Sequence, residues 1–398
     1  MTDSVRTLTP SEPRAIPLAA PAIGGNAWAY VKDCLDSNWV SSVGAYVDRF
    51  EAQIADRTGV PCAVATVNGT AALHVALLVA GVEPDDEVIL PALSFIAPAN
   101  AVRYAAAWPV CLDVEPDSWQ LDPARLAAFL IGECRDVNGT LRRIATGRRV
   151  RAVLPVDLLG HPCDITAIAE IAREHRLLVI EDATESLGAL CRGRAVGSGA
   201  DIACFSFNGN KIVTTGGGGM IVTGDAARAA RARYLTTQAK DDPVEFVHGT
   251  VGYNYRLTNL QAALGVAQLE QLDVHVAAKR RIARAYTTAF RDLACLRPMR
   301  EAPWAFSTFW MYTILVDSSR AAVTSRALIA ALASERIQAR PLWQPLHRSP
   351  AHARDTSHAA CPVADRLHRD GVTLPCSVGL TEADQQRVID LVVDRIAR

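Results

Sequence analysis

From Cys62 to Val222 the sequence keeps repeating one pattern: a short apolar run of strand length, a turn, then an apolar stretch of helical length. Few folds accept it, because strands joined by helices must run parallel, with the helices packed on the sheet faces. The strand-like runs are Cys62–Val67, Glu87–Leu90, Trp108–Leu112, Val150–Pro155, Leu177–Ile180, Ala203–Phe207 and Met220–Val222. Between them lie helical stretches at Ala71–Ala80, Ala97–Ala106 and Asp164–His175, and another opened by Asp122-Pro123 in the N-cap and N1 arrangement. A polar excursion, Gly132 to Arg149, reads as a surface insertion. The expected class is α/β with a mostly parallel central sheet.

Outside that region the pattern changes. A proline- and alanine-rich arm ends at Gly24-Gly25 and leads into helices over Asn26–Asp36 and Tyr46–Arg57, the second with Phe50 and Ile54 on one face. After Asp225 a helix reaches about Thr237, and Asn259 is placed to cap one long helix running from Leu260 towards Phe290. A strand at Phe309–Val316 and helices at Ala321–Glu335 and Glu382–Ala397 complete a smaller α+β unit. With 398 residues the chain suggests two domains, an arm over 1–25, a large domain over 26–265 and a small one over 266–398. Net charge is −1, from 41 basic and 42 acidic side chains, which offers no footprint for nucleic acid or an anionic membrane. The 10 cysteines form no C-x-x-C pair, so they read as small core residues in a reducing compartment, with no metal site expected. There is no signal-like N-terminus and no apolar run of about 20 residues, so a cytoplasmic protein is expected.

Three places can carry chemistry. Lys211 stands in Phe207-Asn208-Gly209-Asn210-Lys211, on a turn between two core strands, followed by Gly216 to Gly219. A partly desolvated amine there can form a Schiff base, and the glycines allow close backbone approach to whatever it holds. Asn68-Gly69-Thr70-Ala71 joins a strand to a helix, and the free N–H groups of a helix start bind phosphate. Leu177 to Asp182 is a buried strand ending in two acids, at the sheet edge where open α/β proteins place ligands. Asp182 can pair with a protonated ring nitrogen, and Glu185 follows on the same side. His74, inside an apolar helix, reads as a hydrogen-bonded core histidine. A lysine, a strand-end aspartate and a phosphate-binding turn together are what pyridoxal phosphate requires.

These segments, with Ser37–Gly44, Pro91–Val102, Gly160-His161-Pro162, Gly252–Gly265 and Arg340–His347, resemble in order and local sequence the DegT/DnrJ/EryC1/StrS sugar aminotransferases. That resemblance implies a fold-type I, aspartate aminotransferase-like transferase that binds pyridoxal 5′-phosphate. It implies Lys211 as the Schiff-base and proton-shuttling residue and Asp182 as the pyridinium partner. Phe95 would be the ring-stacking aromatic, Glu185 a further cofactor contact, and Thr70, Ala71 and Ser206 phosphate contacts. It assigns Asn254 to the phosphate of the partner subunit, hence a homodimer with shared active sites. Ser41, Arg256 and His347 fall on the nucleotide-sugar side, where each can equally be a structural hydrogen-bonder. The segments Phe207–Ile212, Leu235–Lys240 and Gly139–Pro155 look most like transaminases that make UDP-4-amino-4,6-dideoxy-N-acetyl sugars for surface glycans. The expected reaction moves an amino group from L-glutamate to C4 of UDP-2-acetamido-2,6-dideoxy-4-hexulose. Amination at C3, a dTDP- or GDP-linked ketosugar, and a non-catalytic sensor are the alternatives.

Overall fold

The computed structural model describes residues 14–242, 244–352, 357–358 and 360–397. Its centre is an eight-stranded sheet. In chain order the strands are β1 (Cys62–Thr66), β2 (Glu87–Pro91), β3 (Trp108–Leu112), β4 (Val150–Val153), β5 (Leu178–Asp182), β6 (Ile202–Ser206) and β7 (Gly219–Thr223). Across the sheet they lie as β1-β7-β6-β5-β4-β2-β3, with Ser357–His358 as the eighth strand on the outer edge. All neighbours are parallel except β7, which runs antiparallel to both β1 and β6. The reversal follows from the connection. A short loop carries the chain from β6 into β7 without a crossover helix, so β7 must return antiparallel, and Lys211 rides on that loop. This is the fold-type I α/β architecture.

Helices cover both faces, as near-continuously buried parallel strands require. The first two, α1 (Ala27–Asp36) and α2 (Ala45–Thr58), bring Phe50 and Ile54 into the core with no exposed surface. The next, α3 (Gly69–Val79), is apolar on almost every side and buried accordingly. Then come α4 (Ala97–Tyr104), α5 (Pro123–Glu133) and α6 (Ile165–Glu174), the last two capped by Asp122 and Asp164 as their sequences indicate. The excursion after α5 folds into a hairpin, Cys134–Val137 paired with Thr140–Arg143, turning through Asn138-Gly139, both at positive φ.

After α7 (Ala226–Thr236) two details differ from expectation. Thr258, not Asn259, caps the next helix, through a capping box with Gln261. Asn259 instead holds the distant α1–α2 connection, accepting from Tyr46 N at 3.1 Å and donating to the Trp39 carbonyl at 2.7 Å. The long helix is also two helices, α8 (Asn259–Leu269) and α9 (Leu272–Phe290), broken at Glu270-Gln271. A second, antiparallel sheet of Leu296–Pro298, Tyr312–Val316 and Gly371–Leu374 packs with α10 (Ser325–Ser334), α11 (Pro362–Asp370) and α12 (Glu382–Ala397). Its central strand begins at Tyr312 because Phe309 sits at φ 49°, outside extended geometry.

Residues 1–13 of the expected arm lie outside the described residues. The remainder ties the first residues to the last part of the chain: Ile16 is 1% exposed and exchanges backbone hydrogen bonds with Arg336 and Gln338. None of the ten cysteines is disulfide-bonded. Among the described residues no helix is long and apolar enough to cross a membrane, and no group of His, Cys, Asp and Glu can hold a metal ion.

Candidate active site

At the carboxyl edge of β5 and β6 a cavity of about 340 Å³ opens, lined among others by Thr70, Phe95, Glu185, Ser206, Lys211 and Trp310. Topology brings them there: α3 starts at this edge, β5 and β6 end at it, and the β6–β7 loop folds over it. The approach of α3 to β6 requires Gly69, since a Cβ there would stand 2.8 Å from the Ser206 Cβ. Asn68 caps α3, its Oδ1 accepting from Ala71 N at 2.8 Å. The Ala71 N–H is therefore satisfied within the chain. The Gly69 and Thr70 N–H groups, which have no intrahelical partner, remain to face an anion with the Thr70 and Ser206 hydroxyls.

The Lys211 amine is held from two sides. Nζ lies 3.7 Å from Glu185 Oε1 and 4.1 Å from the centre of the Trp310 ring. Glu185 is fixed in turn by the Leu159 N–H, which donates to its Oε2 at 2.8 Å. That bond depends on a tight turn in which Leu159 and Gly160 have φ of 61° and 88°. Gly160 also meets the segment carrying Trp310: a Cβ on it would stand 2.7 Å from the Trp310 N, and its carbonyl accepts from Thr308 N at 2.9 Å. The Trp310 indole N–H donates to the Asn210 carbonyl at 2.7 Å, one residue before the lysine. Lysine, glutamate and tryptophan thus come from three distant parts of the chain and lock one another.

Two further buried acids, Asp182 and Asp157, stand near these residues without lining the cavity themselves. Asp182 is 2% exposed, and its Oδ1 accepts from Thr184 N at 3.1 Å. Burial pushes its carboxyl pKa up, while the Thr184 hydrogen bonds and the Lys211 charge pull it back. Glu185 is pushed up to about 7 by burial, against the pull of Lys211. Asp157, its backbone N–H bonded to the Asp182 carbonyl at 3.0 Å, is also raised, to about 6, by burial. Its own carboxylate accepts from Ser186 Oγ at 2.6 Å and Cys163 N at 2.8 Å. Buried acids in this number favour a cation beside them, as a pyridinium is.

The cavity does not gather every residue expected there. Ser41 is exposed on the loop after α1. Arg256 is committed to Glu51 Oε1 at 2.5 Å and to the Ala65 carbonyl at 3.2 Å, which joins β1 to the later chain as a structural bond. His347 Nε2 lies 3.2 Å from Asp365 Oδ1. Asn254 is exposed beside Tyr253 and Tyr255, outside the cavity of its own chain. The glycine run does not line the cavity either. A Cβ on Gly219 would stand 2.5 Å from the Asn68 carbonyl oxygen, so what approaches closely there is protein backbone. His74 is buried but not satisfied: among the described residues neither ring nitrogen has a hydrogen-bond partner, and burial pushes its pKa down. Its surroundings are the rings of Tyr104, Tyr253 and Tyr255.

Trp310 and Trp343 line the cavity too, among residues that no sequence motif marks as part of the site. Their signal was present in Phe309-Trp310-Met311-Tyr312 and in Arg340-Pro341-Leu342-Trp343, four residues before His347. Nothing in local periodicity shows that two such distant indoles meet.

The chain is similar in sequence and fold to known sugar aminotransferases over nearly its whole length. The model of the DegT/DnrJ/EryC1/StrS aminotransferase family matches residues 21–393. GDP-perosamine synthase of Caulobacter vibrioides is 43% identical over 94% of this chain and 96% of its own length. GDP-perosamine synthase of Escherichia coli O157:H7 is 38% identical, covering 90% of this chain and 93% of its own. The crystal structure of DesI with its TDP-sugar product superposes with a TM-score of 0.86 at 28% identity, covering 96% of this chain and 93% of that one. With the family matched across nearly all its length, this chain belongs to the DegT/DnrJ/EryC1/StrS aminotransferases, sugar aminotransferases whose cofactor is pyridoxal 5′-phosphate.

Proposed function

We propose that the chain aminates C4 of a nucleotide-linked 4-keto-6-deoxy hexose, with L-glutamate as amino donor, to make an amino sugar for a surface glycan. The observation that carries the reading is the Lys211 amine held 3.7 Å from Glu185 in a cavity walled by the α3 N-terminus, with the buried Asp182 close enough to feel the Lys211 charge. The residues present fit the cofactor: an amine for its aldehyde, a buried acid for its ring nitrogen, and a helix start with two hydroxyls for its phosphate. When bound, pyridoxal 5′-phosphate supplies the aldehyde that carries the amino group and a ring that stores the electron pair. The chain does the rest. Asp182 accepts the ring N–H, and its burial makes that ionic hydrogen bond strong. Gly69, Thr70 and Ser206 bind the phosphate. Lys211 Nζ would take the proton from Cα of glutamate in the first half-reaction and deliver one to C4 of the sugar in the second. Glu185 and Trp310 keep that nitrogen over the reacting atoms.

The nucleotide reading moves from UDP to GDP, because relatives at 43% and 38% identity are named for a GDP-linked sugar. The UDP-N-acetyl sugar is the second reading, carried by the segments around Lys211 and Gly139–Pro155. The test is an assay of the purified protein with L-glutamate and GDP-, UDP- and dTDP-linked 4-keto-6-deoxy sugars, with products identified by mass spectrometry. Turnover of the GDP sugar above the others is expected. Amination of none of them overturns the function, and a C3-amino product overturns the regiochemistry.

The working unit in this proposal is a homodimer in which Asn254 of each protomer completes the phosphate site of the other. Supporting it, Asn254 is exposed and outside its own cavity, and large apolar side chains stand in solvent on a single chain: Trp28 is 79% exposed, Val43 69% and Phe246 64%.

A further inference from the structure

Resting on that proposed function, we propose that the stacked indoles of Trp310 and Trp343 are the wall that receives the deoxygenated C6 edge of the sugar. The wall thereby makes the sugar half-reaction, but not the glutamate half-reaction, selective.

The wall is built before any ligand arrives. The two rings are stacked with centroids 6.4 Å apart and planes 11° from parallel, and Phe95 meets Trp343 edge-on at 6.3 Å. Trp310 is only 2% exposed and fastened at three points. Its indole N–H is bonded to the Asn210 carbonyl, its backbone N packs against Gly160, and its carbonyl accepts from Lys279 Nζ at 2.9 Å. Lys279 is itself buried, on α9, and burial pushes its pKa down. Its ammonium also donates to Cys376 Sγ at 3.8 Å; a lysine buried with so few partners is a costly device, and what it fixes here is the position of Trp310.

The chemistry of the wall says what lies against it. Indole has one hydrogen-bond donor and no acceptor, and Trp310 has already given its donor to Asn210. That face has nothing to offer a hydroxyl. A hydroxymethyl group pressed against it would lose water without replacement, which costs free energy, whereas a methyl group gains by burial. The wall also stands beside the reacting centre, since the Trp310 ring centre is 4.1 Å from Lys211 Nζ. A sugar whose C4 approaches Lys211 therefore has its neighbouring C5 and C6 within reach of the indoles. Glutamate has no counterpart to C6 and does not need the wall.

Trp343, half-exposed at the cavity, can be truncated with less risk to folding than Trp310. The test measures each half-reaction separately in the holoenzyme, following the change in cofactor absorbance. It then compares the 6-deoxy and 6-hydroxy forms of the nucleotide-linked 4-amino sugar, run in reverse with 2-oxoglutarate as acceptor. In Trp343→Ala the glutamate half-reaction should stay within about two-fold, while kcat/KM for the 6-deoxy sugar falls roughly ten-fold or more and the 6-deoxy preference shrinks. Trp343→Phe should recover most of the loss. Equal losses in both half-reactions, or an unchanged preference in an active variant, overturn the wall alone. A wild type that takes the amino group from glutamate and passes it to no nucleotide sugar overturns the proposed function, and the wall with it.

Discussion

Lys211 is the one side chain whose removal should abolish the chemistry while sparing the fold. Among the described residues its ammonium pairs with Glu185 and lies over the Trp310 ring, so truncation releases these neighbours and opens no core cavity. Lys211→Ala should lose turnover, and borohydride should no longer fix the cofactor to the protein. Retained turnover, or cofactor still fixed after reduction, would remove the lysine from its role. Glu185 offers a prediction in pH. Its folded pKa of about 7 lies above the free-glutamate value near 4.3, so between those values the folded chain holds a proton that the unfolded chain has released. Stability contributed there is complete below about pH 4 and drains away as pH rises through 7. Lys211 and Asp182 face the same carboxyl, the first lowering its pKa and the second raising it. Glu185→Gln cannot ionise, so urea denaturation of the apo-protein from pH 5 to 8 should show a flatter decline than in the wild type. Parallel curves would mean that Glu185 is already ionised at pH 5.

At the scale of elements, the site depends on two short devices. The first is the N-terminal turn of α3, where Asn68→Ala removes the bond to Ala71 N and should cost about 1 kcal/mol in denaturant titrations, with weaker cofactor binding. A loss of stability with cofactor affinity unchanged would separate the cap from the phosphate site. The second is the turn at Gly160, where φ of 88° and contact with the Trp310 segment leave no room for a side chain. Gly160→Ala should destabilise by about 2 kcal/mol or more and impair the half-reactions together, since it displaces both Glu185 and Trp310. Elements of this kind divide what the sequence makes legible from what it hides. Strand and helix positions from β1 to β7 follow from local apolar period and turn residues, and so does the Lys211 loop. The α8–α9 break does not, because the apolar pattern runs through Glu270-Gln271 without a glycine or proline to mark it. The fate of Arg256 is hidden for another reason. An arginine beside two tyrosines looks available to a ligand until the fold brings Glu51, 205 positions earlier, to 2.5 Å from it. Trp310 and Trp343 were illegible in the same way, as their meeting is a property of chain paths and not of either local sequence.

At the scale of the whole molecule, one chain brings the lysine, the glutamate and the α3 turn to one cavity and leaves Asn254, assigned to phosphate, outside it. Asn254 follows β7 and α7 in sequence, bridges back to Thr237, and stays exposed. Family likeness assigns it to phosphate, yet its own cavity does not include it. The proposed symmetric pair would resolve the conflict, because a two-fold axis that brings one copy's Asn254 to the other's cavity must do the reverse as well. The same pairing would cover Trp28, Val43 and Phe246, whose exposure on a lone chain is large for apolar side chains. Mixing two dead variants tests this directly. Lys211→Ala and Asn254→Ala should each be strongly impaired as homodimers. After subunit exchange, each mixed dimer has one site with both residues intact and one site with neither. Random pairing makes half the dimers mixed, so activity should return to roughly a quarter of the wild-type level. No recovery, with exchange verified by native mass spectrometry, would place Asn254 in the site of its own chain or in none. An Asn254→Ala protein that is fully active alone would reject its phosphate role altogether.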